Sequence, residues 1–494
     1  MVKIKVVVIG AGFSGLAAAS VLALAGFEVT VLEKNSTPGG RARRFAENGF
    51  TFDMGPSWYW MPDVFEKYFS IFNKTPEDYY QLHRLDPSYR FYFGKDQMLD
   101  MPASFEEIVE IFEKEETGAG AELIAFLSEA EYKYKVSMSK FVYKPGLSVL
   151  EYVRPEILAS VFRLHMFRSF DSHLKQHFKS PRLRQMLEFP ILFLGGTAKS
   201  TPALYSLMNY GDIKLGTWYP VGGMYKVVEG MVELAQSLGV KFIYNSPVDK
   251  LMFNNKKVSS VHANGIQYEA DYVVGSADYQ YVEQNLLPEE FRSYTAKYWD
   301  SRVLSPSSLI FYLGIDKKLE GLEHHTLFFD QDLAKHAGSI YENPSWPENP
   351  SLYFSCTSKT DPTVAPEGME NLFVLIPVAP GLEDTEEIRE KYFQIMLDRF
   401  KQLTGQDISC NIVYKRTYAH ADFESDYHAF KGNAYGLANT LLQTAFLKPK
   451  MRSKKVSNLF YTGQLTVPGP GVPPALISGE MAARLIMKAA RVKE

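Results

Sequence analysis

The sequence predicts an α/β protein whose nucleotide-binding portion is split along the chain, and three observations carry that expectation. A β-branched run, Ile4 to Ile9, abuts Gly10-Ala11-Gly12-Phe13-Ser14-Gly15 and an Ala/Leu-rich stretch to Ala25, the pattern of strand, tight turn and helix. A second strand signal, Glu28 to Leu32, closes a βαβ unit that in a parallel sheet is right-handed. Glycine-bearing turns of similar character return at Gly222-Gly223 and at Gly469 to Gly471. One domain interrupted by two insertions accounts for elements at both ends and in the middle.

The other elements follow in chain order. From Asp63 to about Gly211 amphipathic segments such as Phe105 to Glu115 and Ala119 to Met138 read as mostly helical. The turn Tyr219 to Met224 opens a helix, Tyr225 to Leu238, closed by Gly239. Strand signals follow at Val240 to Tyr244, Val248 to Phe253, Val258 to His262 and Tyr272 to Gly275. Between about 300 and 440, strands at Ser307 to Leu313 and Leu372 to Pro377 accompany a helix, Glu386 to Leu403. A last strand, Asn458 to Thr462, precedes a Gly/Pro turn and a helix from Ala475 to Val492. The expected division is 1–75, 215–290 and 446–494 for the nucleotide domain, 76–214 for a helical region and 291–445 for a substrate domain.

A chain of 494 residues exceeds one ordinary core. Charged residues make up 22%, with a net charge of -4, which leaves no electrostatic footprint for nucleic acid. Cys356 and Cys410 stand far apart without metal-type spacing, so neither a disulfide framework nor a metal site is expected. No secretory signal pattern opens the chain, and apolar stretches such as Pro155 to Phe170 are broken by Glu156, Arg163, His165 and Arg168. The expected location is therefore the cytoplasm, with any membrane contact peripheral. Aromatic residues reach 14%, enough either to fill a large core or to line an apolar cavity.

The glycine turn carries the first chemistry. Gly10 permits the strand-to-helix turn, Gly12 lets backbone approach a pyrophosphate, and Gly15 allows close helix–sheet packing. The phosphates then meet free N–H groups at the helix N-terminus. Glu33, at the end of the second strand, can accept from ribose hydroxyls and disfavours a 2′-phosphate, which points to FAD or NAD rather than NADP. Pro38-Gly39-Gly40-Arg41-Ala42-Arg43 offers further backbone donors and a guanidinium to the same pyrophosphate.

That segment, followed by Gly49-Phe50-Thr51-Phe52-Asp53-Met54-Gly55-Pro56-Ser57, resembles the amine-oxidase-like flavoproteins and, within them, the bacterial phytoene and carotenoid desaturases. The middle segment Trp218 to Met224 and the carboxy-terminal Asn458 to Gln464 and Pro468 to Ala475 extend the resemblance over nearly the whole chain. It implies a Rossmann-like FAD-binding domain of the GR2 type, a discontinuous α+β substrate domain and a helical, membrane-associating region. Carried over by position, Gly10, Ala11, Gly12, Phe13, Ser14, Gly15, Glu33 and Lys34 would hold the ADP half of FAD. Gly40, Arg41 and Ala42 would hold the pyrophosphate, and Met54, Gly55, Pro56 and Ser57 would lie by the isoalloxazine. Val248 would face the adenine, while Gly463, Gln464, Gly471, Val472 and Pro473 would hold the ribityl chain and the pyrimidine edge. Where relatives carry Thr-His-Pro-Gly, this chain has Thr466-Val467-Pro468-Gly469 and so no histidine there. Asp171, Glu151 and Arg168 are the candidates for the catalytic position proposed in relatives.

The resemblance also implies the chemistry. Introducing a double bond beside a polyene removes a hydride and a proton, and FAD is the hydride acceptor. The expected substrate is a long apolar carotenoid, phytoene foremost, in a tunnel lined by segments such as Trp58-Tyr59-Trp60-Met61, Phe167 to Phe170 and Phe189 to Leu194. Oxygen or a quinone would reoxidise the cofactor, and a Lys-flanked patch within 130–170 would dock on the cytoplasmic membrane. The alternatives are a desaturase of a later, hydroxylated or cyclised carotenoid, a flavin-dependent isomerase, and a non-catalytic prenyl-lipid chaperone. An amine oxidase is disfavoured, since no cysteine lies in the last motif for covalent flavin attachment.

Overall fold

In the computed structural model, which describes residues 3–148, 151, 164–166, 168–192 and 196–492, five parallel strands form one sheet. Their order is Leu459–Tyr461, Tyr272–Gly275, Lys5–Ile9, Glu28–Leu32 and Lys241–Ile243. The central strand, Lys-Val-Val-Val-Ile, is buried beyond its first residue, as expected of a parallel strand covered on both faces. The first helix, Phe13–Leu24, is crossed at close range by the last, Val472–Ala489, because the last helix carries Gly479 at the crossing. A Cβ on Gly479 would stand 2.1 Å from the Ser14 carbonyl oxygen. A three-stranded antiparallel meander, Val248–Asn254, Lys257–Ala263 and Ile266–Glu269, lies alongside.

A second large sheet runs in the order Ile412–Tyr418, Ser307–Ile315, Glu370–Val378, Leu352–Ser355, His325–Phe328, Tyr89–Gly94 and Gln97–Met101. Strand alternation divides its two faces. Leu309, Phe311 and Leu313 pack with Phe393, Met396 and Phe400 of the helix Glu386–Thr404. Ile310 and Tyr312 belong to the opposite core, and Ile310, Tyr353 and Leu375 reach the central cavity.

The region 76–214, read from the sequence as mostly helical, also contains strands. Tyr89–Gly94 and Gln97–Met101 form a hairpin at one edge of the second sheet, with Leu82–Arg84 pairing to Trp218–Pro220. Tyr-Arg-Phe-Tyr-Phe is an aromatic strand pattern, and Asp96, at φ 60°, takes the left-handed conformation of the turn. The helix Phe105–Glu115 begins after Ser104, whose hydroxyl accepts from the Glu107 N–H. The last helix starts at Val472 rather than Ala475, because Pro473 and Pro474 lack N–H groups that the first turn leaves unbonded anyway. Among the described residues, no helix is long and apolar enough to cross a membrane. Residues 149–150, 152–163 and 167 of the 130–170 patch lie outside the described residues, as do Phe193 and Leu194 of the Phe189 to Leu194 segment.

Candidate functional site

One cavity of about 370 Å³ runs from the glycine turn to the face of the second sheet. Gly10, Gly12, Phe13, Ser14, Glu33, Lys34, Gly40, Arg41, Ala42, Gly55, Pro56, Ser57, Val248, Gln464, Gly471, Val472 and Pro473 all line it. The turn takes its shape from Gly10, at φ 102°. The Gly39 N–H bonds to the Ala11 carbonyl at 2.8 Å. A Cβ on Gly40 would come within 3.3 Å of the Gly12 Cα, so the two glycine segments meet in a cradle that side chains would fill.

Four residues expected at the site stand behind its wall. The Ala11 N–H bonds to Glu33 Oε2 at 2.8 Å and so fixes that carboxylate. Gly15 packs against the turn, the Met54 carbonyl accepts from the Tyr312 hydroxyl at 2.6 Å, and the Gly463 N–H bonds to Ser478 Oγ at 3.1 Å. Their roles are to hold the lining residues in place.

Glu33 Oε1 also accepts from the Asn35 N–H at 2.9 Å. A carboxylate accepts about four hydrogen bonds, which leaves lone pairs for vicinal hydroxyls in the cavity. Glu33→Ala is expected to weaken FAD retention by roughly tenfold to a hundredfold, as loss of hydrogen bonds to a charged acceptor does. Flavin fluorescence surviving gel filtration measures it.

Arg41 supplies the opposing charge. With its amide oxygen turned to the guanidinium, Gln464 accepts from Arg41 Nη1 and Nη2 at 2.8 and 3.0 Å. Nη2 also donates to the Asn433 carbonyl at 3.0 Å, and Tyr427 lies 5.3 Å from the guanidinium carbon. Arg43, paired with Asp426 at 2.5 Å, faces the same ring at 5.2 Å. Arg41 Nε is buried without a partner among the described residues, an orphan that an anionic pyrophosphate would satisfy. Asp278, whose pKa is raised by burial and restrained by the Arg41 charge, lines the same wall. At the last helix the two prolines leave Val472 as the free first-turn donor, so the helix end acts mainly through its dipole. Glycine cradle, fixed acid and orphaned guanidinium suit a dinucleotide, and the chemistry FAD supplies when bound is hydride acceptance.

Beyond Ser57 the wall becomes aromatic and apolar, with Trp58, Trp60, Met61, Pro190, Met208 and Leu375. Tyr59 points away, its hydroxyl 2.9 Å from that of Tyr80. The sheet residues Ser308, Ile310, Tyr353 and Tyr435 complete this end. No motif marks them, and only the strand alternation of Ser307 to Leu313 offered a signal.

The structure places Asp171, Glu151 and Arg168 outside the set of residues that line this cavity, apart from the catalytic position expected of them. Asp171 pairs with Lys175 at 2.8 Å on a helix surface. The Glu151 carboxylate accepts N–H groups from Gly146, Leu147 and Ser148 at 3.0, 3.0 and 3.3 Å, the work of a loop cap. Arg168 holds the chain through its carbonyl, which accepts from the Ala203 N–H at 2.8 Å. Asp171→Ala is expected to leave kcat within about twofold, and Glu151→Ala to cost about 1 kcal/mol of stability with turnover unchanged. Thermal melts beside steady-state assays separate the two effects. Glu129, His165 and His173 bring ligand atoms within 4.8 Å of one another. The Lys133 ammonium already fills that space, 2.5 Å from Glu129 Oε1 and 3.0 Å from the Ala203 carbonyl.

Comparison with known proteins agrees with this geometry. Residues 13–487 match the model of the flavin-containing amine oxidoreductases. A carotenoid 3,4-desaturase from Haloarcula japonica is 43% identical over 484 residues, covering 98% of each chain. A zeta-carotene-forming phytoene desaturase from Myxococcus xanthus is 32% identical, over 98% of this chain and 94% of its own. The solved cyclohexylamine oxidase from Brevibacterium oxydans shares the fold at a TM-score of 0.59 and 15% identity, over 99% of this chain and 100% of its own. The chain belongs to the flavin-containing amine oxidoreductase family and, within it, to the FAD-dependent carotenoid desaturases.

Proposed function

We propose that this enzyme introduces a C3–C4 double bond at the end of an already extended carotenoid. The observation that carries a polyene substrate is the continuity of the cavity, from the glycine cradle past Ser57 into the wall of Trp58, Trp60 and Met61. A hydrocarbon offers no hydrogen bonds, so shape and apolar contact must orient it. The 43% identity to the Haloarcula enzyme supports the C3–C4 position. Similarity to the Myxococcus enzyme keeps phytoene as the second reading.

In this reading Glu33, Arg41 and Gln464 fix the cofactor, and the aromatic wall holds the reacting carbons against it and excludes water. Oxygen or a quinone removes the electrons afterwards. FAD-loaded protein is given phytoene and, separately, a polyene with a saturated C3–C4 bond, both in liposomes, and the polyene bands are followed. A red shift with the second substrate alone supports the proposal. Conversion of phytoene alone favours the second reading, and no conversion of either overturns both.

The same substrate calls for a lipid surface, and we place the docking site at two tied loops on the cytoplasmic side. Leu442, Leu447 and Leu147 are 79%, 42% and 38% exposed. Lys450 Nζ bonds the Gly146 and Phe446 carbonyls at 2.7 and 2.6 Å and so holds the loops together. Co-sedimentation with anionic vesicles is expected for the intact chain and is expected to fall severalfold in a Leu442→Asp, Leu447→Asp variant. Equal sedimentation of the two would overturn this assignment.

A further inference from the structure

Desaturation releases a proton as well as a hydride, and the carboxylates considered from the sequence lie elsewhere. Three side chains from separate segments meet at the aromatic end of the cavity. Ser57 Oγ is 2.7 Å from the Tyr353 hydroxyl, and that hydroxyl is 2.8 Å from His325 Nδ1. Ser57 and Tyr353 line the cavity, and His325 is fully buried behind them. Trp58 lies flat on the imidazole, with ring centroids 3.9 Å apart and planes 17° apart, which fixes the plane of the ring. Among the described residues, His325 Nε2 has no hydrogen-bond partner.

A polar chain in a largely apolar wall is costly to desolvate, and a hydrocarbon gains nothing from it in binding. Burial holds His325 well below the ordinary imidazole pKa, with adjacent His324 adding to the effect. The ring is therefore neutral and carries one bare nitrogen. Tyr353, its pKa raised chiefly by burial, stays protonated and can donate to that nitrogen.

We propose that Ser57, Tyr353 and His325 form the line that accepts the substrate proton, an inference that rests on the carotenoid reading above. With the hydride gone, positive charge spreads along the polyene and acidifies the neighbouring C–H. That bond breaks and its electron pair becomes the new π bond. The proton passes to Ser57 Oγ, the Ser57 proton to the Tyr353 oxygen, and the Tyr353 proton to His325 Nδ1, leaving an imidazolium. A base as weak as a buried imidazole suffices because the donor is a carbocation. The ring of His324 stands edge-on, its centroid 4.5 Å away, and its Nδ1 meets Thr360 Oγ1 at 2.7 Å.

The test compares FAD-loaded wild type with Tyr353→Phe and Ser57→Ala on carotenoid liposomes. Tyr353→Phe keeps the ring and is expected to lower kcat about 100-fold, with KM and FAD fluorescence retention unchanged. The solvent deuterium effect on kcat is expected to change with it. Imidazole nitrogen NMR of the holoenzyme is expected to find His325 Nδ1 bare, with its resonance moved by Tyr353→Phe. Wild-type kcat in Tyr353→Phe, or a proton resident on Nδ1, would overturn the proposal. Should wild type convert no carotenoid, the functional reading fails, and the tautomer still decides whether the line can accept.

Discussion

Gly15→Val is expected to abolish FAD binding and to lower the thermal midpoint by many degrees. A Cβ at this position would lie 2.1 Å from the Gly10 carbonyl oxygen and 2.9 Å from Ser276 Oγ. The serine can rotate, but the carbonyl belongs to the turn itself. Relieving the clash needs a backbone movement of about 1 Å, and overpacking of this kind costs roughly 1–3 kcal/mol or more. The helix cannot retreat, because Gly479 of the last helix already brings that helix against Ser14 from the other side. The displaced N–H groups are those expected to meet the pyrophosphate. Differential scanning calorimetry with and without FAD reads both losses, and a holoenzyme of wild-type midpoint would contradict the packing argument.

The second large effect is expected from Arg41→Ala. The guanidinium faces the Gln464 amide oxygen, the Asn433 carbonyl and the Tyr427 ring. Its loss leaves Asp278 and an incoming pyrophosphate as like charges on one wall. Truncating one member of a desolvated charge pair costs about 2–5 kcal/mol, so FAD affinity is expected to fall by two to three orders of magnitude. Arg41→Lys is expected to recover only part, since an ammonium cannot fork between two acceptors. Fluorescence titration of the apoprotein gives both values, and a lysine variant equal to wild type would reduce the role of Arg41 to that of a point charge.

Local signals account for much of this architecture. The strand Lys5–Ile9, the glycine turn and the helix Phe13–Leu24 were legible because each depends on residues adjacent in sequence. The same holds for the helix Glu386–Thr404 and for the strand Ser307–Ile315. The hairpin Tyr89–Gly94 and Gln97–Met101 was missed because amphipathic helices flank it and its pairing partner, His325–Phe328, is remote in sequence. Lys133 reads as a surface helix residue, yet its side chain is fully buried beneath the Ala203 carbonyl and Ser206. Most residues expected at the glycine cradle line the cavity, and motifs made them legible because backbone approach demands glycine at fixed spacing. The Ser57, Tyr353 and His325 line could not be found that way, since side chains that meet only in three dimensions leave no spacing to read.

The five-stranded sheet also sets a timetable for the newborn chain. The strand Lys5–Ile9 leaves the ribosome first, but its neighbour Tyr272–Gly275 arrives only after more than half of the chain has been made. At translation rates of about 5–20 residues per second that interval is on the order of tens of seconds. The last strand, Leu459–Tyr461, and the helix that seats against Ser14 come at the very end. Until then the amino-terminal unit has an unpaired edge of valines, which is a template for aggregation. Loading of the flavin is thereby expected to wait for that strand and helix, and a nascent chain shortened before residue 459 should be a client for chaperones rather than a partial enzyme.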